Sequence, residues 1–245
     1  MARTAAGSAT TLRPAAVKTA LAYSLQRLRR DHIDIYRPAR LDPAVPIEET
    51  VGAIAEMVQA GYVRNIGLSE LGAETIRRAA AVHPICDLQI EYSLVSRGIE
   101  ERILPTCREL GIAITAYGVL SRGLIGGRYS PERQGPGDIR SRMPRFGAEN
   151  LDHNLGLVDR LREIAGARGA SVAQVAIAWV LSRGEDIVPL IGSRTRAQLE
   201  DALGALELEL DSDELERIQQ AVPADAVAGE RYGAPQMAHL DSERA

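Results

Sequence analysis

The feature that most constrains the fold is a set of five short apolar runs, separated by longer stretches with helical periodicity. The runs are brief, carry β-branched residues and mostly end at Gly, Pro, Asp or Ser, as buried parallel strands do. They are His32–Tyr36, Val63–Leu68, Leu88–Tyr92, Ile112–Tyr117 and Ile187–Ile191. The alternation of strands and helices predicts an α/β fold in which right-handed crossovers join parallel strands.

Helical patterns fill the intervals between these runs. The first five predicted helices are Pro14–Leu28, Pro46–Ala60, Ala73–Ala81, Ile99–Leu110 and Asp152–Ala167. Ser171 and Thr195 each precede a glutamine by three residues, which is the capping-box pattern at the start of a helix, and the helix after Ser171 should run through Leu181. A last helix should begin around Asp211–Glu214 and end before Pro223.

One interval, Gly118–Gly184, is longer than a single βα unit and contains a loop rich in Gly, Arg and Pro. α/β barrels place functional loops after the carboxyl ends of their strands. No linker interrupts the pattern, so we predict one domain over residues 14–245 after a flexible segment, residues 1–13.

Composition narrows the class of protein. With 45% hydrophobic and 25% charged residues and a net charge of −4, the chain is typical of globular proteins, and we expect neither nucleic-acid nor membrane partners. The sequence has no signal-peptide core, so we expect a cytoplasmic protein. Cys86 and Cys107 have neither metal-site nor disulfide spacing and are interpreted as buried small apolar residues. We expect no metal site, because the four histidines also lack ligand spacing.

A series of motifs along the chain carries a family resemblance. They are SLQRL (24–28), DHIDIYRPARLD (31–42), PIEETV (46–51), GYVRNIGLSE (61–70), QIEYS (89–93), YGVLSRG (117–123), PRF (144–146), ENL (149–151), QVAIAWV (174–180), IVPLIGSR (187–194) and QLEDALGAL (198–206). In this order and spacing the chain resembles the aldo-keto reductases. That resemblance implies a (β/α)8 barrel matched from its fourth strand onward, that is, a partial TIM barrel with about five βα units.

The resemblance also implies an NADP(H)-linked oxidoreductase that acts on a small aldehyde or ketone. By motif, Ser69 and Gln89 would bind the nicotinamide carboxamide, Tyr117 would stack on the ring, and Gly118–Gly123 would wrap the pyrophosphate. Ser193 and the residues after it would hold the adenosine end at a helix start. The residues carried over are Ser69, Gln89, Tyr117, Gly118, Leu120, Arg122, Gly123, Ile191, Gly192, Ser193, Arg194, Gln198 and Asp201.

Each of these residues also has a structural interpretation. Gln89 and Tyr117 could be ordinary strand-end residues, Ser193 could cap a helix, and Gln198 could complete the capping box of Thr195. Several arginines could form a solvated loop face: Arg122, Arg128, Arg133, Arg140, Arg142 and Arg145.

The catalytic residues of the resembled family are the weakest part of the match. Carbonyl reduction needs a proton donor, supplied in the family by a tyrosine with a lysine and an aspartate, usually beside a histidine. The tyrosine, lysine and aspartate would precede the matched region, and Ala39 occupies the histidine position. Lys18, the only lysine, lies in the helix before the first strand. Gly118 and Ala202 stand where the family usually has serine and asparagine.

These departures leave three hypotheses open. The chain is a reductase with an unusual proton donor, a cofactor-free isomerase, dehydratase or cyclase, or an inactive nucleotide-binding or scaffold subunit, including a truncated product. Tyr36, Arg37 and Arg40, with Glu91 and Tyr92, could support different chemistry or simply anchor neighbouring strands.

Two further expectations concern surfaces. Substrate specificity should come from the loop Arg122–Asn150 and from the tail Gly229–Glu243, which contains Arg231, Tyr232 and Met237. An open five-stranded sheet has two unpaired edges, so we expect a homo-oligomer or a partner chain that covers the open barrel edge.

Overall fold

A computed structural model describes residues 12–127, 129, 130, 132 and 135–244. The strands are β1 (Ile33–Tyr36), β2 (Val63–Ser69), β3 (Ile85–Glu91), β4 (Ala113–Tyr117) and β5 (Ile187–Pro189). The α-helices are α1 (Pro14–Leu28), α2 (Ile47–Gln59), α3 (Ala73–Val82), α4 (Ile103–Glu109), α5 (Ala148–Ala167), α6 (Val172–Leu181), α7 (Arg196–Leu203), α8 (Ser212–Ala221) and α9 (Ala234–Met237). The predicted flexible segment lies outside the described residues except for Leu12, which is buried, and Arg13.

The strands form one sheet in the order β1-β2-β3-β4-β5, and the registered pairs are parallel. This confirms the predicted α/β class and the five strands. β3 begins at Ile85 rather than Leu88, because Ile85 pairs with Ile66 before the register shifts between Ile66 and Gly67. Pro84 and the polar Asp87 interrupt the apolar pattern, so the first half of this strand is not evident from the sequence.

The helices follow the sequence patterns closely. α1 matches its prediction residue for residue, and Pro14 lies in its first turn. α4 begins four residues later than predicted, and α5 begins at Ala148 rather than Asp152. The predicted capping boxes at Ser171 and Thr195 are both present, and Asp211 forms a third with Glu214.

The chain divides into two compact units, which we describe separately. Unit 1 contains the described residues up to Gln89, Pro105–Ile112 and those from Leu240 onward. Its core forms where the apolar stripe of α2 and the buried residues of β2 are excluded from water, and Ile54, Ile66 and Leu68 have no exposed surface.

Unit 2 contains Ile90–Leu104 and the described part of Ala113–His239. α6 is buried over most of its circumference, with Trp179 only 1% exposed. The long interval after β4 has a small core of its own, in which Leu124, Met143 and Phe146 are buried together. This interval is therefore a packed element that can hold side chains in fixed positions.

Side chains alternate between two environments along the strands. In β4, Ile114 and Ala116 have no exposed surface, whereas Thr115 and Tyr117 on the opposite face are half-buried. Tyr117 thus ends the more accessible face of β4. No single helix among the described residues is long and apolar enough to cross a membrane, although α5 and α6, bent by 88°, meet the length and composition criteria as a pair.

Candidate functional site

Ser69 and Gln89 lie side by side at the carboxyl ends of β2 and β3 in unit 1. They are partners in the parallel register, and the backbone N–H of Glu70 donates to the Gln89 carbonyl at 3.1 Å. Glu70 has φ of 55° and is fully buried, and Ser242 holds its carboxylate by a hydroxyl contact of 2.9 Å. The structure therefore brings together the two residues expected at the carboxamide, and fixes the backbone directly after them.

A second feature of unit 1 is the ion pair between Arg37, which follows β1, and Asp87 in β3. The Arg37 Nη2 donates to Oδ2 at 2.6 Å and Nε to Oδ1 at 2.9 Å. Gly67 lies beneath the pair, and a Cβ there would come within 2.6 Å of Arg37 Cγ and would also overlap the Asp87 carboxylate. The anchoring interpretation of Arg37 is therefore confirmed.

Of the other two polar residues near the end of β1, Tyr36 is anchored to α1, whereas Arg40 bonds to its chain neighbour. Tyr36 donates its hydroxyl to the Val17 carbonyl at 3.2 Å, and burial raises its pKa. Arg40 donates to the carbonyl of the exposed Ala39 at 2.6 Å. Lys18 forms an ion pair with Glu56 that joins α1 to α2.

The cysteines differ in their surroundings. Cys107 is fully buried, as expected, whereas Cys86 is only half-buried. Burial and the neighbouring Asp87 carboxylate raise the pKa of the Cys86 thiol to about 11, so it stays protonated at neutral pH. No group of three or more potential metal-ligating side chains occurs within the part of the chain that the structure describes.

The loop after β4 in unit 2 has an unusual backbone. Gly118, Ser121, Arg122 and Gly123 have φ values of 69°, 44°, 55° and 92°, and two of these residues are not glycine. The N–H of Ser121 donates to the Gly118 carbonyl at 2.7 Å, and that of Gly123 to the Leu120 carbonyl at 2.8 Å. Ser121–Gly123 are three consecutive left-handed residues, and strained residues of this kind gather at binding sites.

Gly118 departs from the serine usual in the resembled family for a local reason. A Cβ at this position would lie 2.9 Å from Cγ of Glu91, and the positive φ disfavours any side chain. The glycine thus makes room for the carboxylate that ends β3.

Three arginines surround Glu91, and we call these four residues together the arginine cluster: Glu91, Arg122, Arg145 and Arg231. The Glu91 side chain has no exposed surface, and Arg145 and Arg231 are each 7% exposed. The distances to the carboxylate oxygens are 3.4 Å from Arg122, 3.5 Å from Arg145 and 3.6 Å from Arg231. All four residues belong to unit 2.

The alternative interpretation of Arg145 as part of a solvated loop face is wrong. Its Nη1 donates to Ser96 Oγ at 2.9 Å, and Ser96 donates to Glu91 at 2.9 Å. Burial lowers the pKa of Arg145, and the charges of Arg122 and Arg231 lower it further, against the opposing charge of Glu91. The residue is buried because it packs inside the ordered interval after β4 rather than on its surface.

The remaining arginines of that set behave differently. Arg142 is exposed, as predicted, while Arg140 pairs with Asp138 at 2.5 Å and lowers the pKa of that carboxyl to about 2. Arg128 and Arg133 lie outside the described residues.

The tail contacts Tyr117. The hydroxyls of Tyr117 and Tyr232 are 3.1 Å apart, and Arg231 Nη1 donates to the Tyr117 hydroxyl at 3.3 Å. The Arg122 guanidinium lies 4.7 Å from the centre of the Tyr232 ring, within the range of a cation–π contact. Tyr117 and Tyr232 thus lie beside the arginine cluster, to which the tail contributes Arg231.

Tyr92, by contrast, is a core residue. It is fully buried, packs 5.6 Å from Trp179 and donates its hydroxyl to Glu100 at 2.7 Å. Burial and the Glu100 carboxylate both raise its pKa. The structural interpretation of Tyr92 is confirmed.

The residues expected at the adenosine end lie around the start of α7. Gly192, Ser193 and Arg194 are exposed, while Ile191 and Asp201 are partly buried. The N-cap is Thr195, so the interpretation of Ser193 as the cap is wrong.

The interpretation of Gln198 as part of a capping box is confirmed. It completes the box with Thr195, and its side chain also accepts from the Arg194 N–H at 2.8 Å. This second bond fixes the backbone at Arg194 directly before the helix.

Comparison with known proteins decides the family. The model of the aldo/keto reductase family matches residues 4–223. The chain belongs to the aldo-keto reductase family. It is 46% identical over 219 residues to probable aldo-keto reductase 1 of Glycine max, and 41% identical over 222 residues to aldo-keto reductase str7 of Strobilurus tenacellus.

Each of those two alignments covers 89% of this chain but only 63% and 66% of the respective relative, so the chain spans less than two thirds of their length. The glycerol dehydrogenase AKR11B4 of Gluconobacter oxydans superposes with a TM-score of 0.80 at 27% identity, over 96% of this chain and 68% of that one. The five-stranded sheet is therefore part of an aldo-keto reductase barrel, in a family of oxidoreductases that generally use NAD(P)H.

Sequence reasoning missed how Arg145, Arg231 and Glu91 come together. Arg145 is part of the PRF motif and Glu91 of the QIEYS motif, so both were marked as family positions. Nothing in linear spacing indicates that their side chains meet.

Proposed function

We propose that this aldo-keto reductase chain binds NADP(H) and takes part in the reduction of a small aldehyde or ketone, or in the reverse oxidation. The observation that supports the proposal is the loop Gly118–Gly123, which directly follows Tyr117 and contains left-handed residues at Gly118, Ser121, Arg122 and Gly123. Strained loop residues of this kind gather at binding sites, and the Arg122 guanidinium offers positive charge to an anionic pyrophosphate.

The parts of the cofactor are assigned to different residues in this proposal. Tyr117 presents its ring to the nicotinamide, and Ser69 and Gln89 offer a hydroxyl and an amide to the carboxamide. Ser193 and Arg194, exposed just before α7, hold the 2′-phosphate. When bound, NADPH supplies the hydride. Ala39, at the family's histidine position, can donate neither a hydrogen bond nor a proton, so another group supplies the proton.

A titration with NADPH, followed by quenching of Trp179 and tyrosine fluorescence, tests the cofactor part. We expect saturable binding that weakens about tenfold in Arg194→Ala, since a lost phosphate contact of this kind is worth about 1.4 kcal/mol. NADH binding should be unchanged in that variant. Arg217→Ala, at an exposed arginine of α8, is the control and should bind both nucleotides like the unaltered chain. Absence of nucleotide binding by folded protein would refute the proposal.

We also propose that a second copy of the chain covers exposed apolar side chains in β5 and in the segment that follows it. Val188 and Leu190 are 54% and 42% exposed, and Leu199, Leu203 and Leu206 of the following segment are each at least half exposed. Exposed apolar side chains at an end strand favour association. Sedimentation should show a dimer that dissociates in Leu203→Glu, and a monomeric unaltered chain would contradict the proposal.

A further inference from the structure

The segment Leu240–Glu243, which we call the terminal segment, belongs to unit 1 and holds the loop that follows β2. The Ser242 N–H donates to the Glu70 carbonyl at 3.2 Å, and the Ser242 hydroxyl donates to the Glu70 carboxylate at 2.9 Å. One serine, 172 residues further along the chain, therefore restrains both the backbone and the side chain of Glu70.

Further contacts fix the terminal segment against the start of α3. The Gly72 N–H donates to Asp241 Oδ2 at 2.8 Å, and the α3 N-cap has no side-chain cap of its own. A carboxylate at the amino end of a helix is also favoured by the helix dipole. Leu240 is 3% and Asp241 9% exposed, and a Cβ at Gly72 would lie 2.9 Å from the Asp241 carbonyl oxygen. The terminal segment is therefore closely packed against the loop after β2.

Glu70 has a backbone conformation that its surroundings must impose. Its φ of 55° is left-handed, which costs free energy for a residue with a side chain. The sheet supplies one restraint, the bond from the Glu70 N–H to the Gln89 carbonyl, and Ser242 supplies two more. Because Glu70 is fully buried, solvent does not replace a bond that is lost there.

Glu70 is connected to both residues proposed for the nicotinamide carboxamide. It directly follows Ser69 in the chain, and its N–H bonds to Gln89, the register partner of Ser69. A change in the Glu70 backbone angles would move the Ser69 hydroxyl relative to the Gln89 amide. Hydrogen bonds to a bound carboxamide need both groups at the right distance and angle.

We propose that Asp241 and Ser242 are positioning residues for the nicotinamide carboxamide. The terminal segment holds Glu70 in its left-handed conformation, and Glu70 in turn keeps Ser69 in place beside Gln89. This role rests on the proposed function, because it concerns how the chain orients NADP(H). It is restricted to the nicotinamide end of the cofactor. Since coupling between two sites is reciprocal, a nucleotide that bonds to Ser69 and Gln89 also stabilises the docked terminal segment.

Calorimetric titration of the whole chain with two nucleotides tests this role. One is NADPH, and the other is 2′-phospho-ADP-ribose, which has the same phosphates but no nicotinamide ring. Ser242→Ala should bind NADPH about fivefold more weakly, as for the loss of one ordinary hydrogen bond, and 2′-phospho-ADP-ribose like the unaltered chain. Ser242→Thr keeps the hydroxyl and should restore the affinity for NADPH. Ser24→Ala, which removes a hydroxyl bonded to a backbone carbonyl in α1, is the matched control and should bind both nucleotides normally.

Hydrogen exchange of the unaltered chain gives a second readout, which decides even if Ser242→Ala does not fold. The Ser242 N–H should exchange more slowly with saturating NADPH than with saturating 2′-phospho-ADP-ribose. Equal exchange rates, unchanged NADPH affinity in Ser242→Ala, or an equal loss for both nucleotides would overturn the positioning role and leave the proposed function standing. A folded chain that binds neither nucleotide would refute the proposed function itself, and the positioning role with it.

Discussion

Two buried charged groups in this chain are built in opposite ways. In unit 1, one arginine meets one aspartate, and Arg37 reaches Asp87 through contacts of 2.6 and 2.9 Å. In unit 2, three arginines share Glu91 at 3.4 to 3.6 Å. A neutral, closely fitted pair needs no further ligand, so it serves the fold. The three arginines around Glu91, by contrast, adjoin Tyr117, which Arg231 contacts through its hydroxyl, and so belong to the candidate site. What an arginine contacts therefore separates an anchor from a site residue better than residue type does.

The largest expected effect is at the anchor. Asp87→Asn leaves the Arg37 charge without its carboxylate and should lower the free energy of unfolding by about 3 kcal/mol, the lower end for a buried pair because Arg37 is 26% exposed. The measurement is the urea concentration at the midpoint of unfolding, with one dependence of the free energy on urea used for the variant and the unaltered chain. Asp34→Asn, which removes the partner of Arg64 in an exposed pair, should change stability by less than about 0.5 kcal/mol. Equal losses in the two variants would show that the Arg37 pair is not an anchor.

Gly118→Ala tests how closely the loop fits the Glu91 carboxylate. The new Cβ would lie 2.9 Å from Glu91 Cγ at φ of 69°, and we expect a loss of about 2 kcal/mol. Gly111→Ala is a matched control, since Gly111 has φ of 67° but no atom within 4 Å of the added Cβ. That variant should lose only about 1 kcal/mol, from backbone strain alone. If thermal or urea unfolding gives the same loss for both, Glu91 does not crowd Gly118.

A smaller effect should appear at Glu100, a paired carboxylate in the same unit as the arginine cluster. Burial by itself would raise its pKa, but hydrogen bonds from Arg97 and Tyr92 outweigh burial and hold the pKa below the ordinary 4.5. A carboxyl with a lowered folded pKa stabilises the fold above its unfolded pKa, and that stability is lost as pH falls through the folded value.

The melting temperature of the unaltered chain should therefore fall as pH drops below about 4.5, and Glu100→Gln should show a shallower fall. Glu101→Gln, at the exposed neighbouring position, should keep the full slope. A Glu100→Gln profile as steep as that of the unaltered chain would exclude this contribution.

Local patterns were enough to predict most of the fold. Pro14 and the apolar spacing placed α1, and the Ser171 and Thr195 boxes placed two helix starts, because capping depends on residues a few positions apart. The start of β3 at Ile85 was missed, since it depends on pairing with β2. Where pairing with a neighbouring strand determines the end of a strand, the sequence of that strand alone does not predict it.

The candidate site was predictable only where motifs are contiguous. Ser69 with Gln89, and Tyr117 with the loop after it, follow from strand-end motifs, and the structure brings each set together. The burial of Arg145 was not predictable, because it depends on Ser96 and Gly229, which lie far from it in sequence. Long-range packing decided which arginines are solvated.

The most direct test of the contrast between an anchor and a residue of the candidate site is the affinity for NADPH. NADPH would be titrated into Arg122→Gln and Asp87→Asn, with the quenching of Trp179 and tyrosine fluorescence as the readout. Arg122→Gln should weaken NADPH binding about tenfold, as for loss of one charged contact to the pyrophosphate, whereas Asp87→Asn should bind NADPH like the unaltered chain although it is less stable. Equal affinities of the two variants for NADPH would contradict the account.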